Sequence, residues 1–183
     1  MLQSIQSAFG SSVIAGNTGV LLNNRMTYWH LDPNHVDALQ PGKRVRHTMN
    51  PVMVFREMDA GKRDLVLVCG TPGADTQVQT NFQVVTHILD FGMTVAEAVE
   101  APRWRHVQDG TESTVPHAAV DELRMEGRFL PEVTDALKER GHPVTLLDDW
   151  EAAGSEVMIQ IDPDTGVLSG AADPRRDGYA IGW

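Results

Sequence analysis

Apolar residues cluster in short runs along this chain, and the spacing inside and between the runs predicts most of its elements. Pro51 to Phe55 and Leu65 to Cys69 are β-rich runs flanking a polar stretch with Asp59 and Gly61, which predicts a hairpin. The second run is apolar at successive positions, so its strand is expected inside a sheet. Over residues 75–90, Val78, Phe82, Val85 and Leu89 recur at helical spacing, predicting a helix that lays this stripe on the sheet. Thr94 and Glu97 form a capping box ahead of Val95 to Ala101, and Pro102 ends that helix. Pro131 opens a third, short helix carrying Val133 and Leu137 and closed by Gly141. Val144 to Leu147 reads as a strand. Glu156 to Asp162 and Val167 to Gly170 flank Pro163-Asp164-Thr165-Gly166, a second hairpin.

Elsewhere the pattern is weaker. Val13 to Ala15 and Gly19 to Leu22, around Gly16-Asn17-Thr18, predict two short strands. Asp32 to His47 has turn formers and little periodicity, which suits a long ordered loop, and residues 103–127 read as a variable, charged region. Strands alternating with paired helices predict an α+β fold, helices packed on a largely antiparallel sheet, in one domain spanning residues 1–183.

Composition narrows the function. A length of 183 residues with 42% hydrophobic content supports one sizeable core, and the longest apolar runs are far too short to span a bilayer. No membrane partner and no export signal is expected within the chain itself, which as given reads as soluble and cytoplasmic. A net charge of -10 argues against nucleic acid, whose phosphates demand a basic face. Cys69, the sole cysteine, lies in an apolar run and reads as core. Seven histidines show no metal spacing: His87 falls within a helix, and His106 and His117 are far apart. Trp29, Trp104, Trp150 and Trp183 are scattered and suit packing. No metal or cofactor is expected.

Candidate chemistry sits at strand ends. Gly70 to Asp75, GTPGAD, joins a strand to a helix start, where free backbone N–H groups converge on an anion or developing oxyanion. It lacks the lysine of a phosphate-binding loop. LLNNRM (Leu21 to Met26), PGKRVRHTMNP (Pro41 to Pro51) and SGAADPRRDG (Ser169 to Gly178) likewise set polar, glycine or arginine residues beside apolar strands. In the last, Asp173, Arg175, Arg176 and Asp177 are expected to form a C-terminal ionic brace.

The order and spacing of these segments, with DFGMTVAEAVEAPRW (Asp90 to Trp104) and the closing ADPRRDGYAIGW, resemble the small subunit of the γ-glutamyltransferase (glutathione hydrolase) family, including its cephalosporin-acylase-like branch. The resemblance runs from Met1 to Trp183. It implies the αββα sandwich of N-terminal nucleophile hydrolases, cleavage of γ-glutamyl or related acyl amides through an acyl-enzyme, and no cofactor. In that family a self-cleaved precursor exposes a threonine nucleophile whose own α-amino group is the base. Only the tail of the nucleophile motif is matched here, by Ser4 to Gly10. The resemblance therefore places the nucleophile and its strand upstream of Met1, and the chain alone is expected to be inactive.

The same resemblance carries further roles. Gly73 and Ala74 stand at the family's oxyanion-hole glycine pair, and alanine is strained there if the position needs positive φ. His47 and Thr48 stand at the serine pair that holds the substrate α-carboxylate. Arg25 and Tyr28 stand where a glutamine and an aspartate grip the substrate α-ammonium. A cation there repels a cation, so the departure disfavours glutathione and favours an acyl group ending in a carboxylate, of the glutaryl or cephalosporin type, unless Arg25 pairs with a nearby acid. Ser4 and Gln6 match a threonine and an asparagine near the nucleophile. The implied partners are a small acyl amide or γ-glutamyl peptide and the large subunit of the same precursor, whose full-length relatives are often exported. The alternative is an inactive folded remnant that binds or oligomerises through an exposed sheet edge.

Overall fold

In the computed structural model, which describes residues 2–7, 9–108 and 119–182, the runs at 51–55 and 65–69 pair as the expected antiparallel hairpin. The chain divides into two compact units, residues 1–49 and 50–183, each taken by itself below.

The larger unit runs β1 (Val52–Glu57), β2 (Arg63–Gly70), α1 (Gln77–Leu89), α2 (Val95–Glu100), β3 (Trp104–Gln108), β4 (Ala119–Glu126), α3 (Pro131–Glu139), β5 (Val144–Leu147), β6 (Val157–Ile161) and β7 (Leu168–Ala172). One sheet has the order β1-β2-β6-β7, antiparallel throughout, and a second has the order β3-β4-β5 with β4 and β5 parallel. The interior placement of β2, inferred from its unbroken apolar run, is what the sheet shows. Register then sorts the faces: Val52, Cys69, Met158 and Ala171 lie in one cross-strand row, directed at the helices. That row joins Leu67, Val84, Ile88, Val95, Ala98 and Val99 in the core. Met53, Phe55 and Ile159 point to the opposite face and are exposed.

Three expectations need correction. In α1 the stripe Val78, Phe82 and Leu89 faces outward, all three more than half exposed, while Gln77, Thr80, Asn81, Gln83, Val84 and Ile88 are buried. The cause is hydrogen bonding. Gln79 and Gln83 each make two bonds to the backbone of β3, Gln79 to the N–H and C=O of His106 and Gln83 to those of Trp104, and Asn81 donates to the Asn50 carbonyl. Unpaired strand groups must be satisfied before they can be buried, so α1 turns its polar residues inward. The stretch 103–127 is not merely variable, because it holds β3 and β4; residues 109–118 between them, with His117, lie outside the described residues, as does Trp183.

The third correction concerns the smaller unit. The strands predicted at 13–15 and 19–22 reduce to one bridge, Ile14 with Leu21, supported by Ala15 N–H to Val20 O and Leu22 N–H to Val13 O. Val13, Ile14 and Val20 are exposed, so alternating burial does not extend the ladder. Asp32 to His47 is a looped stretch, as expected, with a single bridge from His30 to Ala38. Among the described residues no helix is long and apolar enough to cross a membrane.

Candidate active site

β2 ends at Gly70, and Thr71-Pro72-Gly73-Ala74 leads through one 3-10 turn, Ala74–Thr76, into α1. Gly73 has φ 136° and Ala74 φ 48°, so the alanine does occupy the left-handed region. That placement costs a residue with a Cβ about 1–2 kcal/mol, the kind of strain held at binding turns.

The peptide planes of this turn are pinned by threonines. Thr71 Oγ donates to Pro72 O (2.7 Å), and Thr76 donates to Gly73 O from both its N–H (2.9 Å) and its Oγ (2.7 Å). In a trans peptide the N–H opposes its C=O. Fixing the carbonyls of Pro72 and Gly73 therefore aims the N–H groups of Gly73 and Ala74 the other way. Among the described residues neither N–H reaches a protein acceptor. Two adjacent free donors on a rigid turn make an anion-accepting cradle.

The cradle rests on the segment before β6. Ser155 N–H donates to Thr71 Oγ (2.8 Å), and Gln77 Nε2 donates to Ala74 O (3.1 Å). Next along, Glu156 is completely buried, its carboxylate oxygens making no hydrogen bond among the described residues. Burial pushes its pKa up to about 7, against the pull of the Arg103 charge. Burial, then the nearby Glu156 charge, lifts Cys69 to about 12, so this thiol is protonated at neutral pH and the core assignment holds.

The brace expected from Asp173 and Arg175 is present, and its partners are ones that sequence reasoning missed. Arg175 binds Glu126 through two bonds of 2.6 Å and reaches Asp173 Oδ1 at 3.1 Å. Asp173 pairs with Arg103, both fully buried. Glu126 also accepts from Arg128 Nη2 and from the N–H groups of Arg103 and Ala152, while Arg128 lies 3.5 Å above the Trp150 ring. Arg176 and Asp177 take no part in these pairs. A hydrophobic signal could not reveal this network; the charged tripeptide at Asp173 to Arg175 was its one trace.

In the smaller unit Arg25 is buried (7% exposed) despite its charge. Its Nη1 donates to Thr48 Oγ (2.7 Å) and its Nη2 to Ser4 Oγ (3.1 Å), and its own N–H donates to Asn23 Oδ1 (2.6 Å). The guanidinium carbon lies 5.7 Å from the Tyr28 ring centre, and that of Arg46 lies 5.5 Å from the same ring. Gln6 Nε2 donates to the Tyr28 hydroxyl (3.1 Å). Five of the predicted residues, Ser4, Gln6, Arg25, Tyr28 and Thr48, thus form one bonded cluster. His47 is exposed and contacts none of them by hydrogen bond. Asn23 holds the Arg25 backbone and Ser4 O, a role that the paired asparagines in the sequence do not by themselves assign.

Solved structures share this architecture. A γ-glutamyltranspeptidase from Helicobacter pylori superposes with a TM-score of 0.67 at 28% identity, over 96% of this chain and 92% of that one. A cephalosporin acylase from Bacillus halodurans gives a TM-score of 0.65 at 33% identity, over 91% of this chain and 28% of that one. The fold is the α+β fold of N-terminal nucleophile hydrolases. The family profile described as Gamma-glutamyltranspeptidase matches residues 1–183, and the chain belongs to that family, whose members are enzymes. Among its relatives, the glutathione hydrolase-like YwrD proenzyme of Bacillus subtilis is 40% identical over 99% of this chain, and the oxamate amidohydrolase proenzyme of Klebsiella pneumoniae is 36% identical over 100%. The chain spans 32% of the length of each.

Proposed function

We propose that this chain is the small-subunit part of an amidohydrolase or acyltransferase that cleaves small acyl amides through an acyl-enzyme. The observation that carries the reading is the Gly73–Ala74 turn, with two adjacent N–H donors held free by Thr71 and Thr76. A nucleophilic hydroxyl adds to the amide carbonyl, whose oxygen takes the negative charge. Gly73 and Ala74 N–H groups stabilise that oxyanion. Collapse breaks the C–N bond, the amine leaves with the proton given up by the nucleophile, and water or a second amine then releases the acyl group.

The nucleophile is an N-terminal threonine outside these 183 residues, and the partner is the large subunit of the same precursor. Support for that partner comes from the 32% share of each relative that the chain spans and from Met53, Phe55 and Ile159 standing exposed on the open sheet face. Ser4, Gln6, Arg25, Tyr28, Thr48 and, more peripherally, His47 act on the substrate side. The acyl group is γ-glutamyl or a related type, and the relative named for oxamate, an amide bearing a free carboxylate, extends the range beyond glutathione.

The test is a precursor in which a threonine directly follows a self-cleavage point ahead of this chain, assayed on γ-glutamyl and glutaryl anilides. Amide cleavage is the expected result. No cleavage of any acyl amide by the processed protein overturns the reading.

A further inference from the structure

Residues 152–156, the strap that leads into β6, hang between the two carboxylates of the ionic brace. At one end the Ala152 N–H donates to Glu126 Oε1 (3.1 Å). At the other the Glu156 N–H donates to Asp173 Oδ2 (3.0 Å), and the Asp173 N–H returns a bond to Glu156 O (2.9 Å). One guanidinium joins the two anchors. Arg175 takes Glu126 through Nε and Nη2, each at 2.6 Å, and Asp173 Oδ1 through Nη1 at 3.1 Å. All three side chains are 1% exposed or less. Charged hydrogen bonds in a dry interior are short and fixed in direction, so the two ends of the strap are held by the bonds hardest to displace.

The middle of the strap carries the Gly73–Ala74 turn. Ser155 N–H donates to Thr71 Oγ (2.8 Å), and that hydroxyl donates its own hydrogen to Pro72 O (2.7 Å). Gly154, one residue earlier, lies 3.5 Å from where a Cβ on Gly73 would stand. An N–H arriving on one side of a hydroxyl oxygen leaves its hydrogen to point elsewhere. The strap therefore sets the direction of the Thr71 hydroxyl, and the hydroxyl sets the peptide plane between Pro72 and Gly73, whose N–H is the first donor of the cradle. A continuous path of bonds runs from Arg175 through Asp173, Glu156, Ser155 and Thr71 to that plane.

From this path we infer that Asp173 and Arg175 are positioning residues for the oxyanion turn: through the strap they hold the Thr71 hydroxyl, and with it the Gly73 N–H, in the donating direction. The inference rests on the proposed amide-cleaving function for its effect on turnover, and on the bonds of the larger unit alone for the positioning itself. An amide oxygen gains its charge only as the nucleophile adds, so a turn aimed off line costs the transition state more than the bound substrate. Asp173→Asn keeps the size and leaves one oxygen where two are in use. Oδ1 accepts from the Arg175 N–H and Nη1, while Oδ2 accepts from the Glu156 N–H and faces Arg103. The amide NH2 accepts nothing, so one of the two holds is lost.

Amide NMR of the chain reads the turn without any need for turnover. In Asp173→Asn the Gly73 and Ala74 N–H signals are expected to shift, and the Ser155 N–H to exchange with solvent about tenfold faster or more. Val95→Ala, which opens the core at a buried residue outside the strap, should lower the melting temperature and leave both turn signals in place. Turn signals unmoved in folded Asp173→Asn, or moved equally by Val95→Ala, overturn the inference. If Asp173→Asn does not fold, exchange in the parent chain decides. The Ala152, Ser155 and Glu156 N–H groups, corrected for intrinsic rates, should open as one unit with rates within about tenfold of one another, and a Ser155 rate beyond that range overturns the coupling. In the processed precursor Asp173→Asn should lower kcat about ten- to a hundredfold with KM within about twofold, a smaller loss than removing an oxyanion donor outright. An unchanged kcat, or a loss confined to KM, overturns the inference. Absence of cleavage by the parent precursor removes the proposed reaction and leaves the NMR to judge the positioning.

Discussion

Gly73 and Gly154 approach so closely that a Cβ on Gly73 would lie 3.5 Å from the Gly154 Cα and 2.6 Å from Thr76 Oγ. A Cβ on Gly154 would in turn meet Thr80 Oγ at 2.9 Å and Thr71 Oγ at 3.0 Å. Both glycines also have positive φ, 136° and 97°. The Gly73–Ala74 turn is therefore packed against the segment before β6 with no room for a side chain at either position.

Gly154→Ala is expected to destabilise the protein by about 2–3 kcal/mol, combining left-handed strain with the clash on two threonine hydroxyls. A melting temperature lower by roughly 5–10 °C is the expected readout for a chain of this size. An unchanged melt would mean that the segment is free to move away from Thr71 and Thr80.

Ala74→Gly should act in the other direction. Relief of strain at φ 48° is worth about 1–2 kcal/mol, and the added freedom of glycine in the unfolded chain takes back about 0.4–1 kcal/mol. A net gain of between about 0 and 1.6 kcal/mol in denaturant unfolding is expected. A loss would show that Ala74 is not strained in solution.

Glu126→Ala is expected to cost about 3–5 kcal/mol, because it strands Arg175, Arg128 and the Arg103 N–H without their acceptor. Lys138→Ala, which breaks the exposed pair with Asp135, should cost less than about 0.5 kcal/mol. Burial raises the Glu126 pKa, but the bonds and charge of Arg175 outweigh it and hold the carboxyl below its ordinary value of 4.5. Its contribution is thus complete above pH 4.5 and lost as pH falls through the lower folded value. Equal losses for Glu126→Ala and Lys138→Ala would contradict the brace.

Glu156 has the opposite sign. Its carboxyl rises from 4.5 unfolded to about 7 folded, mainly through burial, so the folded state holds a proton that the unfolded state has released. Stability should therefore fall as pH rises from 4.5 to 7, by up to about 3 kcal/mol. Glu156→Gln is expected to remove this slope and to melt higher than the parent at pH 8, with no such advantage at pH 5. Melting curves of both proteins at the two pH values check it, and parallel pH profiles would refute a buried neutral Glu156.

Where burial followed periodicity, the sequence was readable. The hairpin of β1 and β2, the capped α2, α3 from Pro131 and the hairpin of β6 and β7 all arise from local turn and cap chemistry that neighbours do not overrule. The faces of α1 depart from its hydropathy pattern because Gln79, Gln83 and Asn81 bond to strand and loop backbone distant in sequence, a demand that no such pattern records. The candidate residues of each unit divide similarly. Gly73, Ala74 and Arg25 stand out by residue type, and even the strain at Ala74 could be anticipated. The threonine bonds that aim the cradle, the buried Glu156 beside it and the hydroxyl partners of Arg25 depend on tertiary neighbours.

The ionic brace also sets an order of events during synthesis. Glu126 waits 49 residues for Arg175, and the Val99 carbonyl waits 76 for the same guanidinium. Until that arginine and Asp173 leave the ribosome, Arg103 and Glu126 have no counter-charges from the tail, and sealing them in the interior is unfavourable. A chain ending short of Asp173 lacks the counter-charges of Arg103 and most of those of Glu126, and is expected to be less stable than the full chain although all its strands are present.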